Sequence, residues 1–167
     1  MRKSFVVVAL LAASLSIVFG QGNKDLKARS ASDEAAIRAL ALKCADGWNK
    51  GSGEGFAAPF AVESDYVVVN GMHLKGRAQI ASLHQQIFDT FYKGTRLWVQ
   101  VKSVRFLKPD VALMHTVSRI LKPGESDASP EPDAIQTWAV SKHGNEWLVV
   151  AFHNTRVQSQ GGQAPKP

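Results

Sequence analysis

The chain has 167 residues, of which 45% are apolar, 8% aromatic and 20% charged, which is ordinary globular composition with length for one packed core. That composition excludes an intrinsically disordered chain, and thirteen glycines without a triplet period exclude a collagen-like one. The net charge is +6 and Cys44 is the only cysteine, so no disulfide can close within the chain and the charge surplus is mild.

Residues 1–20 run from Met1, Arg2 and Lys3 through an apolar stretch from Phe5 to Val18 to Gly20, the layout of a cleavable secretory signal peptide. The expectation is a secreted or periplasmic protein cut after Gly20. Removing Arg2 and Lys3 leaves 18 basic against 14 acidic residues, a net charge of +4. No second long apolar run follows, so no stable membrane insertion is expected once the signal is removed. Lys93, Arg96, Lys102, Arg105 and Lys108 gather around one strand but are interleaved with apolar residues, as on a solvated strand face, and no nucleic-acid partner is expected.

After a polar stretch over 21–29, Ser30 and Asp33 fit a capping box. Ile37, Leu40, Cys44 and Trp48 then recur at spacings of three and four, which predicts a helix with one buried face. Gly51, Gly53 and Gly55 should end it, and a short second helix is expected over Phe56–Phe60. Asn70-Gly71 between β-prone runs in 65–74 signals a hairpin. From Arg77 a helical period returns, with Ile80, Leu83, His84, Ile87, Phe88 and Phe91 on one stripe.

Four strands should follow, at roughly 96–107, 111–121, 134–142 and 146–155, and the tight reversals between the first and last pairs make them antiparallel. The connection from Lys122 to Asp133 is the one long loop, and 157–167 is a polar tail expected to be disordered. In the first long strand the apolar set shifts from Leu97, Val99 and Val101 to Val104 and Phe106, which is the mark of a β-bulge. A bulged strand bends its sheet, and helices laid across the hollow side make a cone. The last strand is apolar on both faces, Trp147, Val149 and Ala151 against Leu148, Val150 and Phe152, so the outer face should meet a second copy in a homodimer.

This order of elements resembles the ketosteroid isomerase and nuclear transport factor two-like superfamily, in particular its SnoaL-like, SgcJ/EcaC-type branch. The residues that carry the likeness are Ala39 to Gly51, Tyr66 to Gly71, Gly76 to Ile80, Asp110 to His115 and Trp147 to Asn154, within a domain spanning about 30–156. The resemblance implies an α+β fold, a cone-shaped curved antiparallel sheet wrapped around two to three N-terminal helices in the cystatin-like manner. It also implies a pocket between sheet and helices suited to a small apolar or aromatic ligand.

The residues expected to line that pocket are Trp48, Tyr66, His84, His115, Trp138 and His153. Of these, His84, His115, His153 and Tyr66 are the candidates for acid–base chemistry, because imidazole is the side chain most readily poised near neutral pH. Enzymes of the superfamily that enolise substrates use an inward carboxylate, and the four long strands carry no acid in mid-strand: Asp110 and Glu146 lie at turns. Scytalone dehydratase-like members use paired histidines with tyrosines and an aspartate, and His84, His115 and Tyr66 echo part of that set. Asp46, the candidate acid, points away from the buried stripe of its helix. No tight His spacing suggests a metal, and no cofactor is expected. Cys44, on the apolar helix face, reads as a buried small hydrophobe. Three functions remain open: a dimeric small-molecule binder, a cofactor-free isomerase, dehydratase or cyclase, and a pure homo-oligomerisation module.

Overall fold

A computed structural model describes residues 30–157, apart from 127 and 129. The expected signal peptide, the stretch over 21–29 and the tail over 158–167 lie outside the described residues. The chain divides into two compact units, 1–35 and 36–167, and the fold below is that of the second.

Within this unit helix α1 covers 36–49. Its buried residues Ile37, Leu40, Ala41, Cys44 and Trp48 form the stripe that the spacing dictates. Asp46 falls on the opposite face, where it pairs with Lys50 across one turn at 2.7 Å. Gly51 adopts φ 64° and donates its N–H to the Trp48 carbonyl at 2.8 Å, closing the helix with the left-handed residue that only glycine accepts cheaply.

Helix α2 (Gly53–Ala57) begins three residues earlier than the apolar pattern suggests. The Ser52 hydroxyl caps it by accepting from the Gly55 N–H at 3.0 Å. Helix α3 (Gly76–Asp89) buries Ile80, His84 and Phe88. Phe91 does not extend that stripe: it lies beyond the helix end at Thr90 and is 87% exposed.

Six strands form one sheet: β1 (Phe60–Val67), β2 (His73–Lys75), β3 (Arg96–Lys108), β4 (Val111–Leu121), β5 (Ala134–His143) and β6 (Glu146–Arg156), in the order β2-β1-β6-β5-β4-β3. The four long strands pair antiparallel as their turns require. The hairpin forms around Asn70-Gly71, with a five-residue connection in place of a two-residue turn: Val67 faces His73, and the Asn70 side chain accepts from the Met72 N–H.

One pairing departs from the all-antiparallel expectation. Strand β1 lies parallel to β6, which makes the sheet mixed. The chain reaches this arrangement because α3 carries it from β2 across to β3 at the far edge, leaving the inner side of β1 to be closed by the last strand to arrive.

The bulge expected in β3 is present as a register shift between Val101 and Ser103, so Val99 and Val101 before it and Val104 and Phe106 after it pack on the same core. A second shift, opposite Ala139 and Val140, falls in β6. It lets Trp147, Val149 and Phe152 all reach the core although their spacing is two and then three, and it reassigns Ala151, grouped with Trp147 and Val149 by simple alternation, away from them.

Candidate functional site

The hollow of the sheet is filled with rings. Phe56 from α2, Phe60 and Tyr66 from β1, Phe88 from α3, Trp138 from β5 and Phe152 from β6 pack with Trp48 into one cluster, and Trp48, Phe56, Tyr66 and Phe88 surround His84. His84 stacks on Phe56 at 3.8 Å between centroids, and Tyr66 stacks on Phe152 at 4.5 Å. Trp138 meets Phe152 edge to face at 4.7 Å. Each such contact adds about 0.5–1.5 kcal/mol beyond simple burial.

His84 has a partner on each nitrogen. Its Nδ1–H donates to the Ile80 carbonyl one turn earlier at 2.7 Å, which leaves Nε2 to accept from the Tyr66 hydroxyl at 3.4 Å. Burial lowers the imidazole pKa from 6.5 to about 4, against a smaller upward pull from the Ile80 carbonyl. The ring is therefore neutral at neutral pH. Burial also pushes the Tyr66 phenol and the Cys44 thiol up, so neither ionises in the physiological range. The Cys44 thiol donates to the Phe56 carbonyl and behaves as part of the core.

Trp138 links this aromatic cluster to a polar network that sequence reasoning missed. Its Nε1–H donates to the Thr116 hydroxyl at 2.9 Å, and that hydroxyl donates to the Gln136 side-chain amide oxygen Oε1 at 2.6 Å. The Gln136 amide in turn donates to Ser118 at 2.8 Å and Asn154 at 3.1 Å. Thr116, Ser118 and Gln136 are all buried. Their signal in the sequence is polar residues at neighbouring inward positions of two facing strands, Thr116 and Ser118 on β4 and Gln136 on β5, which is a network when the strands pair in register and an exposed face otherwise.

Four of the six residues expected in the pocket, Trp48, Tyr66, His84 and Trp138, do converge on the core. His115 and His153 do not. On β4 the inward residues are Ala112, Met114 and Thr116, so His115 stands on the outer face, half-buried, with Nδ1 3.5 Å from the Ser103 hydroxyl. On β6 the bulge turns Phe152 inward and leaves His153 exposed outside. The physical reason is the two-residue period of a strand: one residue of register decides the face, and in both strands the apolar flanks Leu113 and Ala151 belong to the outer face too. His115, Thr137, His153, Val67 and His73 therefore form one transverse row across the outside of five strands.

A half-open cleft of about 260 Å³ lies where the ends of α1 and α3 meet the start of β3. Trp48, Phe88 and Tyr92 are among its lining residues, the Phe88 and Tyr92 rings 5.0 and 5.3 Å from Trp48. The Trp48 Nε1–H donates to the Thr95 hydroxyl, which donates to the Tyr92 carbonyl at 2.7 Å, and the Asn49 side chain accepts from the Leu97 N–H at 2.7 Å. Among the described residues no group of three or more His, Cys, Asp or Glu side chains is placed to hold a metal, and no helix is long and apolar enough to cross a membrane.

With this geometry in view, the solved structures give a clear answer about kinship. A protein of unknown function with a cystatin-like fold from Nostoc punctiforme is 45% identical, over 77% of this chain and 80% of that one, with a TM-score of 0.71. The chain belongs to the same family of cystatin-like-fold proteins. An NTF2-like protein with a cystatin-like fold from Novosphingobium aromaticivorans shares the fold at 20% identity, over 84% of this chain and 92% of that one, with a TM-score of 0.67. So does a putative calcium/calmodulin-dependent protein kinase type II association domain from Thiobacillus denitrificans, at 18% identity over 72% and 94%, with a TM-score of 0.61. No family model and no curated protein matches the chain.

Proposed function

We propose that this nuclear transport factor two-like protein is an exported homodimeric module that assembles through the outer face of its sheet. The observation that carries the reading is the division of apolar residues between the two faces. The inner face is closed by the helices and by rings in mutual contact. Val111, Leu113, Val117, Leu148 and Val150 stand on the strands of the other face and belong to no part of the described core cluster.

Four strands of ten to thirteen residues offer a footprint of roughly 650 Å² in projection, at about 4.8 Å between strands and 3.3 Å per residue. Accessible area on a pleated face is larger, so the face is of the size that a standard interface needs, about 800 Å² per partner. The Thiobacillus neighbour, described as a putative association domain, supports a reading in which the same fold serves assembly. Export rests on the signal-like composition of residues 1–20, and a place beside the SnoaL-like, SgcJ/EcaC-type branch rests on the residues that carry that likeness.

Light scattering after size exclusion tests the reading. The mature chain should run at twice its monomer mass at micromolar concentration. Leu113→Asp places a charge in the row Leu113, Ala139, Ala151 at the middle of the face and should halve that mass with the circular dichroism unchanged. A monomeric wild type, or an Asp variant that still dimerises, refutes it.

Acid–base chemistry at Tyr66 and His84 is the second reading, favoured by the relay from the Ile80 carbonyl through the imidazole to the phenol, which leaves Nε2 as a proton acceptor. Trp48, Phe56 and Phe88 pack against the buried imidazole, so a substrate would have to displace a ring to reach that nitrogen. A Phe88→Ala chain that gains turnover of an enolisable ketone, lost again in His84→Gln, would favour this reading over assembly alone.

A further inference from the structure

The transverse row on the outer face carries an imidazole on every second strand: His115 on β4, His153 on β6 and His73 on β2, with Thr137 and Val67 between them. His115 and His153 flank Thr137 at two strand spacings, about 10 Å between Cα atoms. The row runs beside Leu113, Ala139 and Ala151, the middle of the face that self-association buries, so a contact that covers that middle covers both rings. His73 differs: it stands on the edge strand, and its Nε2 lies 2.7 Å from the Asp65 carboxylate.

The charges around the two central histidines are mostly of one sign. From β3, Ser103 faces His115, between Lys102, whose Nζ donates to Gln100, and Arg105, which stands opposite Leu113. Further along β4 the same face carries Arg119. From β5, Ile135, Thr137, Ala139 and Ser141 bring no ionisable group. From β1, Val67 faces His153, and Asp65, one step along beside Ala151, is engaged by His73 and paired in register with Lys75. The helices pack on the other side of the sheet and bring no charge to this one.

We propose that acid releases the dimer, through proton uptake by His115 and His153 in each copy. The inference rests on the self-association reading. Imidazole is the side chain whose charge changes between pH 5 and 8. Neutral, both rings leave water against a partner at modest cost. Protonated, each adds a cation to a face that already holds Lys102, Arg105 and Arg119, and by two-fold symmetry that face meets its own copy. The separated copies therefore take up protons that the dimer refuses, and the dissociation constant rises as pH falls. Exclusion of one proton in each copy gives about a hundredfold over one pH unit below 6.5, the ordinary value for imidazole.

Sedimentation equilibrium of the mature chain at pH 7.5, 6.5 and 5.5 and constant ionic strength tests this, with far-UV circular dichroism at each pH to separate dissociation from unfolding. His84 titrates inside the core of every variant alike. The wild type should dimerise at pH 7.5 and bind itself about a hundredfold more weakly at pH 5.5. The double variant His115→Gln, His153→Gln should dimerise at both pH values with dissociation constants within about threefold of each other, and His73→Gln, at the sheet edge, should keep the wild-type slope. The proposal is overturned by a wild-type change under tenfold, by a double variant that keeps the slope or is monomeric at pH 7.5, or by a slope lost in His73→Gln. A wild type that is monomeric at pH 7.5 removes the assembly reading and this inference together, whereas a dimer of constant affinity removes this inference alone.

Discussion

Acidification should destabilise this protein through one residue. His84 is 3% exposed, stacked on Phe56 and neutral, with its pKa lowered from 6.5 to about 4. Above pH 6.5 the imidazole is neutral in both the folded and the unfolded chain, and stability is undiminished. As pH falls below that value, the unfolded chain takes up a proton that the folded one refuses. Stability then drops by about 1.4 kcal/mol per pH unit until the folded form itself protonates near pH 4, a loss on the order of 3 kcal/mol. For a domain of this size that corresponds to roughly 10 °C in melting temperature.

The assay is urea unfolding followed by tryptophan fluorescence at half-unit steps from pH 7 to 4.5, for the wild type and His84→Gln. The variant loses packing against Phe56 and starts less stable, but it has no proton to take up at this position. Its stability should fall less steeply, and the gap between the two curves should narrow toward pH 4.5. Carboxylates and the exposed histidines contribute equally to both chains and cancel in the difference. Parallel curves, or ring resonances of His84 that titrate near pH 6.5, would refute the argument that burial holds this imidazole neutral.

Two further perturbations probe the scaffold. A Cβ at Gly47 would lie 2.1 Å from the backbone nitrogen of Phe56, where α1 and α2 touch, so Gly47→Ala should cost more than about 3 kcal/mol. A melting temperature within a few degrees of wild type would show that this contact can yield. Gln136→Leu removes the hub of the buried network, takes the acceptor from the Thr116 hydroxyl and leaves Ser118 and Asn154 without this donor. The expected loss is about 2–3 kcal/mol in urea unfolding with an unchanged m value, and a neutral outcome would mean that water replaces the hub.

Much of this molecule was legible before folding was considered, and the reason is local. Helix α1 announces itself through Ile37, Leu40, Cys44 and Trp48, and α3 through Ile80, His84 and Phe88, because a 3.6-residue period with one apolar stripe has few other solutions. The long strands are bounded by turn residues to within a residue or so, and the bulge in β3 is written in the slip of its own apolar set. These features depend on neighbours a few positions away, and the superfamily resemblance rests on their order.

Tertiary structure alone decided which side of the sheet each histidine occupies. His115 and His153 both have apolar neighbours two residues away, and alternation says only that those neighbours share a face. That the face is the outer one follows from how β4, β5 and β6 pair and from the bulge opposite Ala139 and Val140. The same pairing assembled Thr116, Ser118, Gln136, Trp138 and Asn154, residues spread over 38 positions of the chain, into one network. It also set β1 parallel to β6, through a crossover whose length the local pattern does not encode. Periodicity is a property of a segment, whereas a face, a partner and a filled hollow are properties of segments brought together, and only the packed chain specifies them.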